Sequence, residues 1–359
     1  LGLKTFKCYT CGQLLFFDNV SCVKCGATLG YLPDAGTLEA IKEIKPKQWQ
    51  TLAPHLKGRL YRLCENYQIA QVCNWLVPLD EKQNFCLSCR LNQTIPNNQL
   101  VWRTLEHAKR QLIYSILTLG LPLSNKKEQP LRGLAFAFLE STANNPVLTG
   151  HQSGLITINI AEVDDVKREW MRQQLHEPYR TLLGHFRHEI GHYYWWGLVS
   201  YTQWLTPFRQ LFGDERKLPY HDALKEHYQE SGQARWQQEF ISHYASVHPL
   251  EDWAETWAHY LHIIDTLEMA QSFDLTINIP PSNHHPLPNL TVMRQQPFEQ
   301  TLLSWLPLTF ALNSLNRTMG LQDMYPFILP PKVIEKLSFI HQVVQHPVVP
   351  PLLLDANRA

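Results

Sequence analysis

All eight cysteines of this 359-residue chain fall between Cys8 and Cys89, and the 270 residues that follow contain none. Thiols so concentrated divide the chain by composition, and at roughly 100–200 residues per domain the length allows two or three domains. Cys8-x2-Cys11 and Cys22-x2-Cys25 stand ten residues apart, and each pair is followed by a glycine, Gly12 and Gly26. In such a turn, backbone amides point at a thiolate while the glycine takes an unusual dihedral, which makes a zinc knuckle. The later set, Cys64, Cys73, Cys86 and Cys89, contains one Cys-x-x-Cys. Two closed four-thiolate zinc sites use every cysteine, although interleaving of Cys8/Cys11 with the later set satisfies the same count. A disulfide framework is the competing reading. The start of the chain, LGLKTFKCYTCG, carries no export-type apolar segment, so we expect a cytoplasmic protein with reduced, metal-bound thiols.

Charge narrows the partners. The chain balances 32 Lys+Arg against 32 Asp+Glu, so nothing global attracts nucleic acid or an acidic membrane. Residues 1–99 hold 11 Lys+Arg and 7 Asp+Glu, a formal +4. Two Zn²⁺ bound by eight thiolates would cancel it, which favours a structural or protein-docking role for the cysteine domain over nucleic-acid binding. No apolar run approaches the roughly 18 residues that span a bilayer, so no membrane partner is expected.

The stretch Ile95-Pro96-Asn97-Asn98 reads as a linker, giving a Cys-rich domain over 1–95 and a second domain over 100–359. Helical spacing of Val101, Leu105, Ala108, Leu112 and Ile116 predicts an amphipathic helix. The β-rich segments Gly133–Glu140 and Leu155–Ile160 predict a small sheet. Beyond Asp164 and Asp165 the pattern is helical, near 166–176, 179–198, 201–212, 222–230, 235–246, 250–271, 298–314 and 332–345. Pro-rich connectors follow at Ile279–Pro297 and after His346. The fold class is therefore α+β, mainly helical.

The sharpest chemical signal is His188-Glu189-Ile190-Gly191-His192. Histidines at i and i+4 project from one helix face and can meet one metal. Glu189 then reaches toward water rather than the metal, and Gly191 leaves room for another backbone. By itself the pattern also fits a helix with two satisfied histidines. A third ligand is available 59 residues on, in HPLEDWAETWAHYLH, where Pro249 suits a first helical turn. Glu251 and Glu255 share the face opposite the stripe of Trp253, Trp257, Tyr260, Leu261 and Ile264. Buried carboxylates need cationic partners: zinc for Glu251, and the N–H of a zinc-bound histidine for Glu255. Asp252 or Glu255 could stand in for Glu251, and a solvated acidic helix start is the plainer alternative.

His-Glu-x-x-His followed by Glu-x-x-x-Glu on a later helix resembles the gluzincin metallopeptidases, and EDWAETWAHYLH is similar to the Glu-x-x-Ala-Glu helix of lethal-factor-type toxin proteases. Taken in order, CYTCGQLLFFDNVSCVKCGATLGY, CNWLVP, CLSCRLNQTIP, GLITINIAEVDD, RHEIGHYYW, LFGDER and HPLEDWAETWAHYLH are similar to a bacterial family of zinc-binding metallopeptidases, over about residues 6–271. The resemblance implies a gluzincin-like domain behind a zinc ribbon, one catalytic and two structural Zn²⁺, and a peptide or protein substrate. Glu189 would be the general base. Tyr244, seven residues before Glu251, stands where lethal-factor-like proteases also place a tyrosine and would stabilise the oxyanion; a core tyrosine is the plainer reading. His185 could sit near substrate or be an ordinary polar histidine. Trp195-Trp196 could line a cleft or pack the core. Leu155–Ile160 could be an edge strand on which a peptide lies extended or simply a core strand. The alternative function is a non-catalytic zinc scaffold whose ribbon binds other proteins.

Overall fold

In the computed structural model the described residues are 4–164, 168, 181–220, 222, 223, 225, 236–277 and 287–348. The chain separates into two units, Leu1–Asp165 and Val166–Ala359. The secondary structure is mixed α+β.

The first unit begins with an antiparallel hairpin, β1 (Thr5–Lys7) and β2 (Leu14–Phe16), around the first knuckle. Gly12 and Gly26 both adopt left-handed dihedrals, φ 71° and 72°. Their N–H groups donate to the carbonyls of Cys8 and Cys22, each at 2.8 Å, so the knuckle turns take the shape their glycines allow. Next comes a five-stranded antiparallel sheet in chain order: β3 (Leu29–Leu32), β4 (Thr37–Lys45), β5 (Gln48–Thr51), β6 (Leu60–Leu63) and β7 (Leu76–Pro78). Tyr31 forms a bridge with Trp75, bringing the end strands β3 and β7 together. Leu32, Ile41, Leu56, Tyr61 and Leu76 fill its interior. No strand was assigned here from sequence, because four of the five are only three or four residues long and offer too little alternation to read.

The one-turn helix α1 (Glu65–Gln68) follows Cys64, and Cys89 leads directly into β8 (Asn92–Thr94). Helix α2 (Gln99–Thr118) starts where Asn98 Oδ1 accepts from the N–H groups of Leu100 and Val101 at 3.0 and 3.2 Å. An aromatic cluster unites knuckle, sheet and helix. The Phe17–Tyr31, Tyr31–Trp75 and Phe17–Tyr114 ring centroids are 5.0, 4.8 and 5.2 Å apart. On the same helix, buried Lys109 and Glu106 pair at 2.9 Å, the compensation a buried charge requires.

A second sheet runs in the order β10 (Gly150–Gln152), β11 (Leu155–Asn159), β9 (Ala135–Leu139), β8. Both strands expected from sequence are present. The edge-strand expectation for Leu155–Ile160 is overturned: β11 pairs antiparallel with β10 and parallel with β9, so its ladder is occupied on both sides and a peptide cannot add there.

In the second unit, α3 (Leu182–Tyr194) is capped by Thr181, whose Oγ1 accepts from Gly184 N–H at 3.0 Å. It ends in a π-helical turn over Trp195–Val199. Then follow α4 (Leu205–Leu211), α5 (Pro249–Ser272), α6 (Leu290–Gln295), α7 (Phe298–Thr318) and α8 (Pro331–Gln345). Pro249 occupies the first turn of α5, and His248 caps it by accepting from Leu250 N–H at Nδ1, 3.2 Å. The helix expected over 235–246 is not continuous. Among its described residues the chain forms 3-10 turns at Trp236–Gln238 and Tyr244–Ser246. Ser242 Oγ accepts from Ala245 N–H at 3.1 Å, a local bond that competes with the helical ladder. The expected helices at 166–176 and 222–230 fall largely outside the described residues, as do Asn283-His284-His285 and the tail beyond 348.

Helices α3 and α5 meet almost backbone to backbone. A Cβ added to Gly191 would lie 3.1 Å from Ala254 Cα and 3.2 Å from Trp257 Cβ, and Trp253 Nε1–H donates to the Gly191 carbonyl at 2.8 Å. Tyr194 stacks on Trp257 at 5.1 Å. From the other side, α8 contributes Lys336, whose ammonium forms an ion pair with Asp252 Oδ2 at 2.6 Å. No helix among the described residues is long and apolar enough to cross a membrane. Gly191→Ala should overpack the helix contact and lower unfolding stability by about 1–3 kcal/mol, read as a reduced urea midpoint at unchanged slope.

Candidate metal centres

Three groups of side chains converge with metal-ligand spacing. Cys8, Cys11, Cys22 and Cys25 form one, Cys64, Cys73, Cys86 and Cys89 a second, and His188, His192 and Glu251 a third; within each, ligand atoms lie within 4.8 Å of one another. The thiols sort as two sequential sets, not interleaved, and no pair is a disulfide. In the second set all four cysteines are buried, and backbone N–H groups of Trp75, Cys86 and Cys89 point at Cys73, Cys64 and Cys86 Sγ, each at 3.4 Å. In the first set the Cys25 side is open to solvent. Four sulfurs in a closed group are the donor set of structural zinc.

The third group arises from the α3–α5 crossing. His188 and His192 lie one turn apart on α3, their Nε2 atoms separated by 3.2 Å. Glu251, in the first turn of α5, brings Oε2 to 3.0 Å from His188 Nε2 and Oε1 to 3.4 Å from His192 Nε2. Glu251 is 2% exposed, and its Oε2 makes no hydrogen bond of acceptable geometry despite the short contact. Lone pairs facing one another across so small a gap call for a cation between them, and two imidazoles with one carboxylate suit zinc. Burial opposes ionisation of Glu251, but the neighbouring His192 and His188 hold its pKa well below the usual carboxylate range.

The other predicted residues separate by role. Glu255 Oε1 accepts from His188 Nδ1–H at 2.7 Å, leaving Nε2 as the ring's free donor atom toward the group. Asp252 is turned away into its buried ion pair with Lys336, so neither residue replaces Glu251. Glu189 is buried beside the group with Oε2 lacking a hydrogen-bond partner. Burial raises its pKa, partly countered by His188 and His192. Tyr244 lies with its ring 6.0 Å from that of His188. His185 is close enough to act electrostatically on Glu189. Trp195 packs on Phe208 and Trp196 on Tyr193, with centroids 5.6 and 6.4 Å apart.

Two residues were not anticipated. Ser242 donates from Oγ to Glu255 Oε2 at 2.7 Å. The Tyr220 phenol lies close enough to Glu251 for that charge, after burial, to raise its pKa. Neither has a spacing signature: Ser242 reaches the site from an irregular segment and Tyr220 from a helical position outside α3 and α5.

Comparison with known proteins adds independent support. A family model described as "Putative zinc-binding metallo-peptidase" matches residues 98–343, and a zinc-ribbon domain model matches residues 5–100. Uncharacterized proteins of Mycobacterium bovis and of two strains of Mycobacterium tuberculosis are each 43% identical over 348 residues, covering 95% of this chain and 95% of their own. No solved structure matches significantly. The ribbon match spans both thiolate groups, and the longer match spans the histidine–glutamate group. Because Cys86 is buried and Cys25 exposed, Cys86→Ser should depress the thermal midpoint further than Cys25→Ser. Thermal unfolding with zinc analysis of both variants would check this.

Proposed function

Since the chain belongs to the zinc-binding metallo-peptidase family and carries its zinc ribbon, we propose that it hydrolyses peptide bonds at the His188, His192 and Glu251 group, with Glu189 as general base. The observation that carries this reading is the convergence of two imidazole nitrogens on a buried carboxylate that has an unpaired oxygen. Three protein ligands are the number that leaves a catalytic zinc open, whereas a structural site is closed by four, as the thiolate groups are. That difference favours an enzyme over a scaffold. On this reading one zinc serves chemistry and two serve structure, in a gluzincin-like arrangement with the third ligand on a separate helix.

Zinc held there would supply Lewis acidity, polarising a peptide carbonyl and acidifying water. The protein's own groups handle protons and orientation. Glu189 Oε2 is free to take a proton from the attacking water and pass it to the leaving amine. Its burial raises the pKa, in the direction that improves uptake of the proton from water. Glu255 holds the His188 ring through Nδ1, fixing the tautomer that exposes Nε2. The Tyr244 phenol, beside His188, is the donor for the carbonyl oxygen as charge develops on it.

Glu189→Gln should retain zinc at all three sites yet lower peptide cleavage by at least about 10²-fold, the lower end of general-base contributions. A peptide-library digest with parallel metal analysis reads both quantities, and parent-like cleavage by the variant would rule out this mechanism. Tyr244→Phe should leave zinc content unchanged and reduce kcat by about 10²-fold or more, the scale of losing one oxyanion donor.

A further inference from the structure

We propose that Ser242 is a positioning residue for the histidine–glutamate centre: through Glu255 it fixes the orientation of His188, and by the same contact it anchors the turn that carries Tyr244. The inference rests on the reading that His188 is a zinc ligand.

Each carboxylate oxygen of Glu255 has one donor. Oε1 receives His188 Nδ1–H at 2.7 Å, and Oε2 receives the Ser242 hydroxyl at 2.7 Å. A serine hydroxyl has a single proton but two acceptor lone pairs. Ala245 N–H donates to Ser242 Oγ at 3.1 Å, so the serine accepts from its own turn while its proton is directed at Glu255. The result is an unbranched chain, Ala245 N–H to Ser242 Oγ–H to Glu255 to His188 Nδ1–H. Ser242 is 7% exposed and Ala245 fully buried, so water competes poorly for these contacts.

This chain ties the turn before α5 to both ligand-bearing helices. Glu255 sits on α5, His188 on α3, and Ser242 precedes the 3-10 turn Tyr244–Ser246. Without the hydroxyl, Glu255 Oε2 loses its donor and Ala245 N–H its acceptor, and the carboxylate can rotate away from Nδ1. Groups that orient a metal-bound histidine in this way typically change metal affinity 10–100-fold. A serine that only stabilised its turn would lower unfolding stability and leave the zinc affinity of the folded protein alone.

The test is zinc affinity of the full chain, measured by competition with a chromophoric chelator on samples whose far-UV circular dichroism matches the parent. His192→Ala identifies the zinc equivalent that belongs to this centre. Ser242→Ala should weaken that equivalent 10–100-fold while the thiolate-held zinc stays bound. Ser242→Thr, which keeps the hydroxyl, should restore parental affinity. Combined with Glu255→Gln, Ser242→Ala should add little, because both act along one chain. If the alanine variant does not fold, Ser242→Cys keeps the shape with a weaker donor and should show a several-fold loss.

Parental affinity in whichever of Ser242→Ala and Ser242→Cys folds would overturn the proposal, as would full additivity with Glu255→Gln. Unchanged zinc content in His192→Ala would overturn both this inference and the metal reading beneath it. A zinc equivalent that depends on His192 and on Ser242, in a protein that cleaves no peptide, would instead remove the peptidase reading and leave the role of Ser242 standing.

Discussion

The close approach of α3 and α5 at Gly191 is the constraint on which the histidine–glutamate centre depends. With the Cβ position of residue 191 only 3.1 Å from Ala254 Cα, the two helices pack at a separation that any larger side chain would push apart. His192 is the next residue on α3, and Glu251 lies one turn before Ala254 on α5. Fixing one contact therefore fixes the distance between ligands from different helices. Trp253 and Trp257 lock the contact from the α5 side, one through its N–H to the Gly191 carbonyl and the other by stacking on Tyr194. The aromatic stripe is thus a spacer that sets ligand geometry as well as an apolar core. Lys336 of α8 completes the arrangement by neutralising Asp252, which would otherwise be an unpaired charge next to Glu251.

The same physical rule governs all three centres, though the solutions differ. Charged or lone-pair groups may be gathered in a dry place only if something positive joins them. In the thiolate groups, knuckle glycines and backbone N–H groups surround sulfur on short loops, so each centre organises its own neighbourhood. Helices 59 residues apart in sequence build the histidine–glutamate centre, and their packing must exist before its geometry does. Loss of a thiolate ligand should accordingly disturb folding, whereas loss of His188 or His192 should disturb chemistry first.

This difference explains how much was legible in the sequence. Cys8, Cys11, Cys22 and Cys25 were readable because knuckle geometry is local and leaves a Cys-x-x-Cys-Gly imprint. His188, Glu189 and His192 were readable because one helical turn fixes their relation, and Glu251 with Glu255 for the same reason on α5. The long helices α2, α3, α5, α7 and α8 announced themselves by period. The five-stranded sheet of the first unit did not, since its strands are short and its pairing closes through Tyr31 and Trp75, a relation between residues 44 apart. The role of β11 was open between edge and core for a related reason: a strand's composition reports that it is a strand, but whether it lies at an edge depends on its neighbours.

The failure over 235–246 is more instructive, because local periodicity lost there to a side chain that serves the site. Ser242 takes the Ala245 N–H into a turn, and in doing so aims its own proton at Glu255. A continuous helix would have satisfied the backbone equally well, but it would not have placed a hydroxyl beside Glu255 and the Tyr244 ring beside His188. Where a sequence with helical period breaks into 3-10 turns against a buried carboxylate, the departure marks a place at which geometry at a distance outweighs local propensity. On that argument the irregular segment before α5 belongs to the histidine–glutamate centre as much as the two helices do.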